Sequence, residues 1–379
     1  MRDPGYAYSS IGEEFLRYVR TAFGTRFPGL EIERQRLLEK EGVFTRQPWV
    51  EPLPRFQTSG RHLSDLTPED LSLGPVSCAE FASLAGAGLF NREYELYQHQ
   101  FDMLARALRG ENCVVTAGTG SGKTEAFLLP LVAYLVDSSR NWEPPGPPLP
   151  HHDDWWSNDA WIEQCDPAPP EGKNRGPMSE SPRVPQRSGE KRLPAIRSLI
   201  LYPMNALVED QLARLRRALD SPESRAWFEA NRPGHRFYVG RYNGETPVSG
   251  WEYTKTGVVN RPKFDDLREC LRQSEGAYGM ALEAAAQAEA AAVEAEESGS
   301  PEAGELRSAA ELARGAVYFF QNPNGSEMRS RWDMQESPPD ILITNYSMLN
   351  IMMMREVEDN LFEATKAWLE EDGSVFHLI

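Results

Sequence analysis

Residues Glu111 to Val136 read ENCVVTAGTGSGKTEAFLLPLVAYLV. Cys113-Val114-Val115-Thr116 is a short β-prone run, Ala117 to Gly122 holds the glycines, and Thr124 to Val136 repeats apolar residues at helical spacing. The order predicted is strand, loop, helix. Glycines let backbone N–H groups turn inward around a phosphate, and the following helix N-terminus adds positive dipole. In such a loop Gly118, Thr119, Gly120, Ser121 and Gly122 wrap the phosphates, Lys123 reaches the β- and γ-phosphates, and Thr124 ligates Mg²⁺. Ala117 stands where the usual pattern opens with glycine. A small residue suffices there when the turn is not left-handed.

The flanks narrow the class of nucleotide-binding protein. Upstream, REYELYQHQFDMLARAL sets Gln100 at the start of an amphipathic helix with Phe101, Leu104 and Leu108 on one face. A glutamine amide offers donor and acceptor to adenine, and Tyr97 is placed to stack on the base. YQHQ followed by AGTGSGKTEAFLLPL resembles the Q-motif and motif I of superfamily 2 DEAD/DEAH-type helicases. The resemblance implies ATP and Mg²⁺ as cofactors and a RecA-like P-loop NTPase lobe. That lobe is α/β, a parallel sheet flanked by helices.

The same family supplies expectations downstream. SLILYPMNALVEDQLARLRRAL has an apolar strand, Ser198 to Tyr202, ended by Pro203, with a helix from about Ala206. It resembles motif Ia, which implies that Pro203, Met204, Asn205, Ala206 and Leu207 grip phosphates of single-stranded DNA through backbone N–H groups. Asn205 and Gln211 are the side-chain candidates. RFYVGRYNGETPVSG, with a β-run at Arg236 to Val239, is similar to the strand and turn before motif Ib and adds Gly244. DILITNYSMLNIMMMR, with a strand at Ile341 to Thr344, resembles the third phosphate-contacting motif, implying backbone contact from Thr344 and Asn345. Tyr346 replaces the family's common proline, and Met348 and Met352 to Met354 read as core packing. In the family a strand like VFHLI leads into Asp-Glu-x-His, whose carboxylates hold Mg²⁺ and position water. No such box lies in these residues. The resemblance therefore implies that they do not hydrolyse ATP alone, though the complete protein would be an ATP-hydrolysing helicase or translocase.

Around these motifs, residues 1–90 read as a mainly helical accessory region, with helical pattern at Ser10 to Thr21 and Glu31 to Lys40. Residues 91–379 read as the first helicase lobe with two insertions. Residues 139–192 are rich in proline, glycine and charge, which predicts a flexible surface insertion. Residues 277–315 are rich in alanine and glutamate around SGSP, which predicts a projecting helical hairpin. With 379 residues and 40% hydrophobic content the chain can bury a real core. A net charge of −17 excludes a protein that is basic overall and confines any nucleic-acid contact to a local surface. Cys78, Cys113, Cys165 and Cys270 form no CxxC pair, which argues against a zinc module and against a disulfide framework. No long apolar run or leader pattern occurs, so a cytoplasmic protein without membrane contact is expected. NYSML, PMNAL and GETP with long insertions are similar to the large helicase of DISARM phage-defence systems, and also to repair helicases with a C-terminal zinc-binding domain. The first likeness implies a partner from the same defence system and DNA with a single-stranded end or overhang. A non-catalytic, nucleotide-gated DNA-binding scaffold is the rival from another class.

Overall fold

A computed structural model describes residues 4–40, 42–43, 55–118, 120–171, 175–203, 206–371 and 373–379. Residues 1–55 and 56–379 form separate compact units. The first contains helices Pro4–Ala22 and Pro28–Leu38, and Arg34 Nη1 donates to Phe23 O at 2.6 Å to close the turn between them.

The larger unit is built on four parallel strands, β1 (Ser198–Tyr202), β2 (Val239–Tyr242), β3 (Ile341–Asn345) and β4 (His377–Leu378), in the order β2-β3-β1-β4. Parallel strands are covered on both faces, which is why SLILY and ILIT read as unbroken apolar runs. Side chains alternate between faces. Ile200, Ile341 and Ile343 join Leu128, Leu131, Val132, Leu212 and Leu215 in one core, while Leu199 and Leu342 join Met352 and Leu361 in another. The first core is thus filled by helices Lys123–Ser138 and Ala206–Asp220. Leu63, Leu71, Phe81 and Leu84, from residues expected in the accessory region, are buried in the same core. The α/β class with a parallel sheet between helices holds.

Cys113–Thr116 is not a strand. No hydrogen bond joins it to the four strands, and Val114 is 90% exposed. A β-prone run becomes a strand only when a neighbour satisfies its N–H and C=O groups.

Residues 139–192 also depart from expectation, being packed rather than flexible where described. Trp155 and Trp156 are fully buried, and with Met178 and Val184 they form a core against Phe264, Leu267 and Leu271. Helix Asp159–Cys165 is capped by Asn158, whose side chain accepts from Trp161 N. Trp156 Nε1 donates to Glu275 at 3.0 Å. Proline and glycine exclude long helices and strands here, but the tryptophans carry enough apolar area to pin an irregular backbone.

The alanine- and glutamate-rich residues form helices Arg261–Glu297 and Ala303–Ala316, linked by Arg307 on one to Glu289 and Glu296 on the other. The first begins before the biased segment because Phe264, Leu267 and Leu271 anchor it.

Candidate nucleotide and nucleic-acid site

Helix Lys123–Ser138 starts at the lysine itself, with Gly122 at its N-cap. Gly120 and Gly122 have φ of 77° and 70°, in the left-handed region that glycine enters without steric cost. A Cβ on Gly122 would lie 2.3 Å from Gln100 Nε2, so a side chain there would push the Gln100 amide off its contact with Gly122 O. Ala117 is not left-handed, which explains why it can replace the usual first glycine. Lys123 Nζ donates to Ala117 O and Gly118 O, both at 2.8 Å. The ammonium thus lies across the loop on two carbonyls. Ser121 is fully buried, and Thr119 lies outside the described residues.

The first turn of helix Gln98–Leu108 braces this loop. Gln100, 2% exposed, accepts from Tyr97 N at 2.9 Å and donates to Gly122 O at 3.0 Å. His99 Nε2 sits 2.9 Å from Ser121 O. Tyr97 stacks on His99 with centroids 5.7 Å apart, and Phe56 meets Tyr97 edge-on. His99 and Phe56 were not singled out in the sequence. The one signal for His99 was its place inside YQHQ. Tyr97 and Gln100 also line an open cavity of about 640 Å³ with Phe90, Tyr94, Gly120 and Gly122. A planar base and a sugar fit that volume and its aromatic lining.

Helix Ala206–Asp220 reaches the loop from the other side. Gln211 Nε2 donates to Thr124 Oγ1 at 3.3 Å, and Arg214 pairs with Glu125. Sequence reading assigned Gln211 to DNA, but its 8% exposed side chain points at Thr124. Helical periodicity makes this legible only afterwards, because which face meets the loop depends on how the helix packs.

The three segments assigned to phosphate contact emerge on one edge. Tyr202 is in register with Asn345, and Tyr242 with Thr344, so Pro203, Gly244 and Thr344–Asn345 leave adjacent parallel strands at their C-terminal ends. Pro203 and Gly244 are exposed, and Ala206 and Leu207 open their helix. Met204 and Asn205 lie outside the described residues. The Thr344 hydroxyl donates to Tyr242 O at 2.6 Å and is buried, while the Asn345 side chain caps helix Tyr346–Met352 by accepting from Met348 N at 2.8 Å. Both side chains are thus engaged within the edge itself. Thr246 ties the GET turn by accepting from Asn243 N and donating to Arg241 O. Arg241 is paired with Glu209 and Glu245. Tyr346 is 68% exposed. Met348 is packed and Met352 buried as expected, whereas Met353 and Met354 are exposed.

Among the described residues no group of His, Cys, Asp and Glu is arranged to hold a metal, and no helix is long and apolar enough to cross a membrane. Thr124, with Lys123 beside it at a helix N-terminus, fits a phosphate-bound cation rather than a protein-caged one.

Comparison with known proteins agrees with this geometry. Residues 97–234, from Tyr97 through the loop and β1, match the DEAD/DEAH box helicase family. The chain is 30% identical over 383 aligned residues to Druantia protein DruE of Escherichia coli (strain UMEA 4076-1), an alignment covering 96% of this chain and 17% of that protein. The relative is thus a Druantia protein rather than a DISARM one, and the chain spans about a sixth of its length. No solved structure matches. Residues 97–234 are thus similar to a DEAD/DEAH box helicase domain, and the parallel sheet between helices is that of a RecA-like lobe.

Proposed function

We propose that this chain is the nucleotide- and DNA-gripping part of an ATP-dependent DNA helicase or translocase that acts in anti-phage defence. The similarity to Druantia protein DruE supports the defence role. The observation that carries the nucleotide reading is Lys123 held on the carbonyls of Ala117 and Gly118, beneath two left-handed glycines at a helix N-terminus. A phosphate offers that ammonium stronger, charged acceptors than two carbonyls. Mg²⁺ on the Thr124 hydroxyl would neutralise phosphate charge, and the cavity beside Tyr97 and Gln100 would take the base. Single-stranded DNA would lie along the edge formed by Pro203, Gly244 and Thr344–Asn345, held by backbone N–H groups. Such contacts allow an acidic chain to bind a polyanion locally. A protein partner from the same defence system belongs to this reading.

Steady-state ATP turnover by the complete protein, with and without single-stranded DNA, tests it. Stimulation by DNA is expected. Nucleotide and DNA binding without turnover would remove the motor and leave a nucleotide-gated scaffold.

A further inference from the structure

Gln211 is buried, and its Oε1 has no hydrogen-bond partner. Its Nε2 donates to Thr124 Oγ1 and, at 3.3 Å, to the neighbouring Asp210 carboxylate. With nitrogen forward, the amide donates into a lone pair of the hydroxyl expected to ligate Mg²⁺. With oxygen forward, it would accept the hydroxyl proton and free that lone pair for the cation, giving up the contact of its nitrogen with the Asp210 carboxylate, which Arg214 also holds. A hydroxyl bound to a cation becomes a stronger donor and needs such an acceptor. The two orientations of one amide therefore suit the metal-free and metal-bound states respectively.

We propose that Gln211 is a positioning residue for the Thr124 hydroxyl, turning its amide oxygen to that hydroxyl when Mg²⁺ binds and so fixing the cation ligand. This rests on the nucleotide site proposed above. The same helix presents Arg214 to Glu125 one turn later, and its first turn follows Pro203 at the proposed DNA edge.

The test is equilibrium binding of a fluorescent ADP analogue to the complete protein, titrated with Mg²⁺ and repeated in EDTA. Gln211→Met fills the space but neither donates nor accepts. Its half-saturating Mg²⁺ concentration should rise about tenfold or more, a usual cost of losing an outer-shell partner, a larger loss than any change of affinity in EDTA. Gln211→Glu restores an acceptor, so its Mg²⁺ requirement should lie nearer the parent's than the Met variant's, and Gln211→Ala, which also lacks an acceptor, takes the Met variant's place if that does not fold. Equal Mg²⁺ dependence in the Met variant and the parent overturns the proposal. So does a loss of DNA affinity without nucleotide while Mg²⁺ dependence is unchanged, because the side chain would then face DNA. A parent that binds no nucleotide defeats the nucleotide site itself, a separately visible result.

Discussion

At the scale of single residues, the carboxylates nearest the motifs are already committed. Glu125 pairs with Arg214, Glu209 with Arg241, and Asp340 with Arg192 and Arg197. Asp340 is fully buried and also accepts from Tyr238 N. Burial alone would raise its pKa, but the two guanidiniums outweigh this and hold the carboxyl well below the usual range. Its contribution to stability is therefore complete above the unfolded value of about 3.9, shrinks as pH falls below that, and is gone once pH passes the folded value. Asp340→Asn should cost about 3–5 kcal/mol at neutral pH in urea unfolding, because it leaves buried arginines uncompensated. A loss below about 1 kcal/mol would show that water reaches the pair. Lys123→Ala should weaken binding of an ATP analogue by about 1.5–3 kcal/mol, the loss of a charge-assisted contact. Gln100→Ala should weaken ADP and GDP binding together, since its amide is engaged by the backbone of Tyr97 and Gly122. Weaker discrimination between the two bases, with ADP affinity retained, would instead return Gln100 to adenine reading.

At the scale of elements, local pattern and tertiary partner contribute differently. Ser198–Tyr202 and Ile341–Asn345 are strands where an apolar run predicts them, because each has neighbours in a buried sheet. Cys113–Thr116 has the same β-prone character and lacks those neighbours. The insertion at 139–192 fails the other way, since a composition that excludes regular elements still supplies Trp155 and Trp156 to a core. Trp156→Ala should cost about 3–5 kcal/mol and open the described part of this segment to limited proteolysis, with its wild-type counterpart resistant. Equal cleavage of both would return the segment to a flexible loop.

At the scale of the molecule, a net charge of −17 coexists with a proposed DNA edge because the contacts fall to backbone N–H groups and Arg241 is already balanced by two glutamates. DNA affinity of the complete protein should fall only weakly as salt rises if backbone N–H groups alone make the contacts, with a logarithmic slope of about −0.7 for each phosphate that a lysine or arginine neutralises. Fluorescence anisotropy across a salt series measures that slope. A steep slope would place lysines or arginines on the phosphates and overturn a grip made by backbone alone.

The glycine-rich loop, two of the sheet strands and the helicase likeness are legible in the sequence because each depends on residues adjacent in the chain: glycines at fixed spacing before a lysine, apolar runs ended by proline or asparagine. What a side chain meets across the fold was not legible. Gln211 meets Thr124, Gln100 and His99 brace the loop carbonyls, and buried tryptophans order a proline-rich insertion. Those outcomes depend on which face of each helix packs against the P-loop and on which strands find partners, and both follow from contacts between residues far apart in the chain.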